Sequence, residues 1–317
     1  LSTTMAPPGW EGMETNSGPS GPMRGGVLEV DLSANAARVI AGGTRTPNGI
    51  GAARDGTLVY LDNQGTWMPT SALCEVVPGA FYGHFNWTRF VPKLKERFPQ
   101  GGHPSVFCDR ERMMPALWLP QNEVVNSPTE PLPFSSPQDP ATGLDVYPGQ
   151  QMLIGELTAG GVRRVYLERV EGVLQGALFR FSQGIEAGVN RMRWGPGGAL
   201  YLGCMGAGGN WNWKGTQFGL QRLVPTGKPT FEMAAVSARP DGFSILMTQP
   251  MRLYSLENVT VESWTYRPTK AYGGPKIDRR EHRLSELALS TDGRRLKLGV
   301  EGLEAGRCYH FSFDAGS

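Results

Sequence analysis

The chain has 317 residues, a net charge of +2 and no apolar run long enough to cross a bilayer. That balance excludes a strongly basic nucleic-acid binder and a helical membrane span, so a soluble or peripherally held protein is expected. Gly (43) and Pro (25) make up about a fifth of the residues, above ordinary usage but below the low-complexity range, and this favours an all-β chain rich in turns.

Residues 1–24 are rich in Gly, Pro, Ser and Met without any period, as expected of an irregular arm. Val27–Leu32 and Ala36–Ile40 read as a hairpin across Ser33-Ala34-Asn35. Next comes Asn48-Gly49-Ile50-Gly51, a Gly-bearing turn at Gly56, and the strand Leu58-Val59-Tyr60-Leu61. The same plan returns in Asn190–Trp194, Pro196-Gly197-Gly198 and Ala199–Leu202, and 190 − 48, 198 − 56 and 200 − 58 all give 142. An offset of that size is about three units of the ~40–50-residue period of β-propellers. Between the copies, strands are expected at Ala72–Val77, Ala116–Leu119, Gln151–Glu156, Val162–Glu168 and Ala177–Phe181, with a solvated helical turn at Lys93–Phe98. Asn126-Ser127-Pro128-Thr129-Glu130 reads as a polar loop. Phe218–Val224 is the last strand of this kind.

A boundary is expected near Pro225–Pro229. Beyond it the pattern changes to about seven short strands, including Phe243–Met247, Thr260–Tyr266, Leu284–Leu289, Arg295–Val300 and Cys308–Phe313. Their regular spacing suggests a β-sandwich of immunoglobulin or fibronectin type. The expected fold class is thus all-β: an arm over 1–24, propeller blades over 25–228 and a sandwich over 229–317. Cys74, Cys108, Cys204 and Cys308 form no CxxC pair, which excludes a zinc ribbon and a haem-attachment motif. They leave open a Cys74–Cys108 bridge or isolated thiols packed as small hydrophobes. Asn86-Trp87-Thr88 and Asn258-Val259-Thr260 fit the glycosylation triplet, a pattern common by chance.

Several phrases carry a family resemblance: Arg45-Thr46-Pro47-Asn48-Gly49, Asp62-Asn63-Gln64-Gly65, Gly79–His84, Met152–Gly161, Arg191-Met192-Arg193 and Tyr266–Lys276. The chain resembles the soluble pyrroloquinoline-quinone (PQQ) sugar dehydrogenases of glucose/sorbosone dehydrogenase type. It is closer still to secreted bacterial propeller proteins that accompany a c-type cytochrome domain. The resemblance implies a six-bladed propeller with PQQ over its central channel, an arginine clamp, and a histidine base that takes the sugar hydroxyl proton. It also implies a secreted or periplasmic location and a c-type cytochrome as electron acceptor. Carried over by position, Arg191 and Arg193 match the clamp, Arg45 and Asn48 the loop leading into a blade, and Thr129 a cofactor-contacting hydroxyl. A guanidinium gripping a carboxylate in two places makes chemical sense for a tricarboxylate. Two features depart from the family: the clamp lysine has no counterpart in Leu157–Gly161, and the histidine base belongs to a portion preceding this chain. Only three to four blades are expected here, the others coming from lost sequence, another polypeptide or a second copy.

For each candidate a structural role stands beside the functional one. Arg191 and Arg193 are two apart on a strand and share a face, forming an anion site or bonding neighbouring carbonyls and acids. Asn48, Asn63, Asn126 and Asn190 are placed to bind a ligand or, more simply, to cap turns. His84 offers a general base or a loop hydrogen bond; Asp62, Glu130 and Glu156 offer a Ca²⁺ site. Trp211 and Trp213 offer a sugar-stacking surface or a buried loop anchor. Two functions compete: a PQQ-dependent sugar or alcohol dehydrogenase, and a non-catalytic propeller that binds or assembles.

Overall fold

The computed structural model describes residues 25–84, 111–134, 143–206, 211, 213–251, 259–269 and 271–313. The 1–24 arm, the 93–98 turn, Asn86, His103, Cys108 and Asn258 lie outside the described residues. The described chain is built from antiparallel sheets. A hairpin, β1 (Gly26–Asp31) and β2 (Ala36–Gly42), opens it. Three up-and-down sheets follow: β3 (Pro47–Ala52) to β6 (Leu117–Leu119), β7 (Pro128–Pro133) to β10 (Val173–Gln183), and β11 (Gly188–Trp194) with β12 (Leu200–Met205) and β13 (Phe218–Leu223). Within the first two, β4 is Leu58–Asp62, β5 Ser71–Glu75, β8 Gln150–Glu156 and β9 Gly161–Val170. Each sheet begins with its innermost strand, and β7 packs against both β3 and β11. Sheets fanned face to face in this way are the blades of a β-propeller-like fold.

Side-chain alternation explains the stacking. In β8, Met152 and Ile154 enter the core shared with the first blade while Leu153 enters the core shared with the third. In β4, Val59 and Leu61 face the second blade and Tyr60 faces the opening hairpin. A strand buried on both faces reads as a continuous apolar run, as β8 does.

The inner strands approach backbone to backbone. Gly49 has φ +100°, and a Cβ there would sit 2.5 Å from the Glu130 Cα; at Gly51 a Cβ would strike the Pro131 carbonyl. Glycine is what permits this approach.

The Asn126–Glu130 segment departs from the sequence reading, because residues from Pro128 to Pro133 form the strand β7. Pro lacks an N–H and is tolerated on a strand paired along one edge only. β7 is such a strand, bonded to β8 alone and bulged between Thr129 and Leu132.

After Leu223, two sheets face one another. β14 (Met233–Arg239), β15 (Gly242–Met247), β19 (Arg295–Val300) and β18 (Leu284–Leu289) make one, in that order. β17 (Lys276–Glu281), β16 (Val259–Tyr266) and β20 (Cys308–Phe313) make the other. Ile245, Leu296 and Leu298 of the first share one core with Val259, Val261 and Phe311 of the second.

This C-terminal unit is fastened to two blades. Arg164 is fully buried and donates to Gln151 Oε1 and Ala234 O at 2.7 Å each, and to Met233 O. Its guanidinium lies between the rings of Tyr147 (4.3 Å) and Phe179 (4.4 Å). On the first blade, Trp118 meets Tyr266, and Trp67 N donates to Thr269 O at 2.8 Å.

Candidate functional site

Asn48 and Asn190 lie in the leading halves of the inner strands β3 and β11, with Arg191 at the centre of β11 and Glu130 midway along β7. The fold gathers these positions into one mouth. The two asparagines related by the 142-residue repeat meet there, with Asn48 Nδ2 3.4 Å from Asn190 Oδ1. Arg191 Nη1 donates to Asn48 Oδ1 (2.9 Å), Asn190 Oδ1 (2.9 Å) and Asn190 O (2.7 Å). One nitrogen of an exposed guanidinium is thereby fixed by two blades. Nε and Nη2 donate to no described residue, so one edge of the fork stays available to an anion.

Arg193 is differently placed. It points to the same side of β11 as Arg191, with buried Met192 between them on the other. Its Nη1 donates to Glu130 Oε1, and Glu130 Oε2 accepts from Met192 N at 2.6 Å. Glu130 holds a left-handed φ of 28°, an unusual conformation for a non-glycine residue. Its carboxylate ties the bulge of β7 to β11, whose own register shifts between Val189 and Arg191. The sequence reading gave Glu130 no part in this junction. Its one signal is an acid flanked by Thr129 and Pro131 in a strand too rich in proline to read as one.

Two other expected contributors are engaged elsewhere. Thr129 is fully buried and donates its hydroxyl to Val189 O at 2.7 Å, joining the second and third blades. Arg45 is buried, donates to Gln64 O at 2.6 Å, and lies under Tyr272 at 5.2 Å. The structure therefore brings Asn48, Arg191 and Arg193 to the mouth and turns Arg45 and Thr129 into the packing.

Asp62 and Glu156 both end the second strand of a blade and serve as structural hubs. Asp62 accepts from the backbone N–H groups of Arg45, Thr46 and Asn63 at 2.7–3.0 Å. Glu156 accepts from those of Asn126, Thr158 and Ala159 at 2.7–3.2 Å. Burial raises both carboxyl pKa values, opposed by these donors. Among the described residues no three His, Cys, Asp or Glu side chains cluster as a metal site.

His84 is fully buried with Nε2 3.3 Å from Thr66 Oγ1. Desolvation, then Arg45 and Arg112, push its pKa down to about 3. It packs as a neutral histidine. Trp213 Nε1 donates to Ile185 O at 2.8 Å, while Trp211 stays 39% exposed, bonded through Nε1 to Ser127 Oγ at 3.0 Å beside the start of β7. Cys74, Cys204 and Cys308 are free thiols.

No protein-family model and no curated protein sequence matches the chain. Among solved structures it is similar to an oxidoreductase described as a glucose dehydrogenase from Thermus thermophilus, at 20% identity and TM-score 0.39, covering 63% of this chain and 55% of that one. It is also similar to the PQQ-bound form of aldose sugar dehydrogenase from Streptomyces coelicolor, at 15% identity and TM-score 0.34, covering 57% and 46% respectively. The chain thus spans about half the length of the structures it resembles.

Proposed function

We propose that the mouth built by Asn48, Asn190 and Arg191 binds a planar carboxylate ligand of the PQQ type, and that the protein is a sugar dehydrogenase relative. The observation that carries this reading is the half-occupied Arg191 fork, oriented by two blades and open along one edge. Arg193, paired with Glu130, stands beside it, and the exposed Trp211 face would suit a sugar ring. Arg191 and Arg193 fit a ligand carboxylate, whereas Arg45 and Thr129 would help only through the blades they hold. When bound, the quinone would supply the two-electron acceptor for a sugar hydroxyl, with electrons leaving to a c-type cytochrome. This reading goes with a secreted or periplasmic location and with the open blade flank covered by another chain. Ca²⁺ enters it as an added ion, not as one held by Asp62, Glu130 and Glu156, which bond separate stretches of backbone.

A second reading, a non-catalytic binding propeller, is favoured by the burial of His84 and by the neutralisation of Arg193 by Glu130. Titration with PQQ, with and without Ca²⁺, followed by quinone absorbance and dye reduction with aldoses, separates the two. Uptake with turnover supports the first. Uptake without turnover supports the second. The absence of any uptake that Arg191→Ala abolishes removes the ligand assignment.

A further inference from the structure

The connection between β16 and β17 is longer than the two strands need. Tyr266 pairs directly with Lys276, so a tight turn would join them, yet residues 267–275 lie between. That length is spent on the first blade. Gly273 N donates to Gly65 O at 3.0 Å, Gly274 N to Pro69 O at 2.9 Å, and Trp67 N to Thr269 O at 2.8 Å. Tyr272 itself forms an antiparallel bridge with Thr66. The fit is close, because a Cβ on Gly274 would lie 2.0 Å from Arg267 O and 2.8 Å from the Pro69 Cβ. Glycine permits such an approach. The Tyr272-Gly273-Gly274 phrase is therefore suited to lying against the β4–β5 connection.

That connection belongs to the mouth. Pro47 pairs with Asp62, so the end of β4 and the residues that follow it lie at the leading end of β3. Asp62 accepts from Arg45 N and Thr46 N, and Asn63 Nδ2 donates to Thr46 O at 2.8 Å. The Arg45 side chain lies so near the same connection that a Cβ on Gly65 would be 1.9 Å from its Nε. Its Nη1 bonds Gln64 O. The Tyr272 ring covers this guanidinium at 5.2 Å, leaving Arg45 4% exposed although the ring is itself 64% exposed. A ring so open to solvent gains little from its own burial; its contribution here is to hold and shield the cation beneath it. Asn48 stands three residues beyond Arg45, and its Oδ1 accepts from Arg191 Nη1 at 2.9 Å.

We infer that Tyr272 is a positioning residue for the mouth: through it the C-terminal unit holds the Arg45-Thr46 segment, and with it the Asn48 carboxamide that orients the Arg191 fork. The contacts form one continuous path, from Tyr272 to Arg45, along the backbone fixed by Asp62 to Asn48, and from Asn48 to Arg191. The C-terminal sheets thereby act on the site from outside the blades. The consequence for PQQ uptake rests on the ligand reading above; the placement of the loop does not.

The test uses the full chain carrying Tyr272→Ala, Tyr272→Phe or Gly274→Val, the last designed to lift the loop from Pro69 and Arg267 O. Amide hydrogen exchange is measured without ligand, and PQQ uptake is followed by quinone absorbance. In Tyr272→Ala the Arg45 and Thr46 amides should exchange about 2- to 5-fold faster, the equivalent of one exposed cation–π contact, with the gain confined to this loop. PQQ uptake should weaken by a similar factor. Tyr272→Phe keeps the ring and should restore both, whereas Gly274→Val should accelerate the same amides further. Unchanged Arg45 and Thr46 amides in both loop variants overturn the inference. Acceleration spread evenly over the blades also overturns it, since that reports lost stability alone, as does a loosened loop with PQQ uptake unaltered. A wild-type chain that takes up no PQQ removes the ligand reading, and the exchange pattern then decides the positioning by itself.

Discussion

Arg191 shows how much a single guanidinium depends on its neighbours. Its Nη1 is committed to Asn48 and Asn190, which sets the plane of the fork and leaves the remaining edge to an incoming carboxylate. On the proposed ligand reading, Arg191→Ala should weaken PQQ uptake by about 10- to 100-fold, measured by quinone absorbance titration. Arg191→Lys should restore little of it, because an ammonium cannot reproduce two-point contact. Asn48→Ala should give a smaller loss, since it frees the fork without removing its charge. His84 gives a prediction of different kind. Its folded pKa is about 3, below the ordinary ~6.5 of an unfolded histidine. Between those values the unfolded chain binds the extra proton, so stability rises with pH and is lost on acidification from about 6.5 towards 3. Denaturant melts across that window should show the slope in the wild type and a loss of about one proton of it in His84→Asn.

At the level of elements, the decisive feature is how close the inner strands come. Asn48-Gly49-Ile50-Gly51 lies against Glu130 and Pro131, and Gly51 has no room for a Cβ before the Pro131 carbonyl. Gly51→Val should cost about 3 kcal/mol or more, by the strain that overpacking at a close backbone contact produces, read as a lower denaturation midpoint. Gly56, whose Cβ would meet nothing within 4 Å, is a useful control because only its left-handed φ of +86° resists substitution. β7 belongs at this scale too. Three prolines make it read as a loop, yet they serve a strand with one bonded edge, and the same loss of N–H groups keeps that inner edge from pairing further.

For the whole molecule, Arg164 sets the relation between the blades and the C-terminal sheets. It is buried among Gln151, Ala234 O, Met233 O and Glu232, between two aromatic rings. Arg164→Ala leaves those acceptors without their donor and should destabilise by about 3–5 kcal/mol, the range for breaking a buried charged network. Arg164→Met, which keeps volume and removes charge, should cost less. Comparing tryptophan fluorescence with far-ultraviolet dichroism during unfolding would show whether the C-terminal sheets separate first in the Ala variant, as loss of the junction requires.

The sequence by itself determined the all-β class, the opening hairpin, the repeat and the later short strands, because each rests on local alternation and turn residues. Asn48 and Asn190 were legible as equivalents through their 142-residue offset, and they proved to touch. Their contact, however, depends on strands from different blades and has no local signature. Only the tertiary structure decided that Thr129 and Arg45 face packing partners, that Glu130 joins two bulges, and that Arg191 keeps an open edge. The same holds for Tyr272, since nothing local to its loop announces the Arg45 guanidinium beneath it. What a side chain does at the mouth is set by which blade lies opposite, and that is fixed by long-range packing.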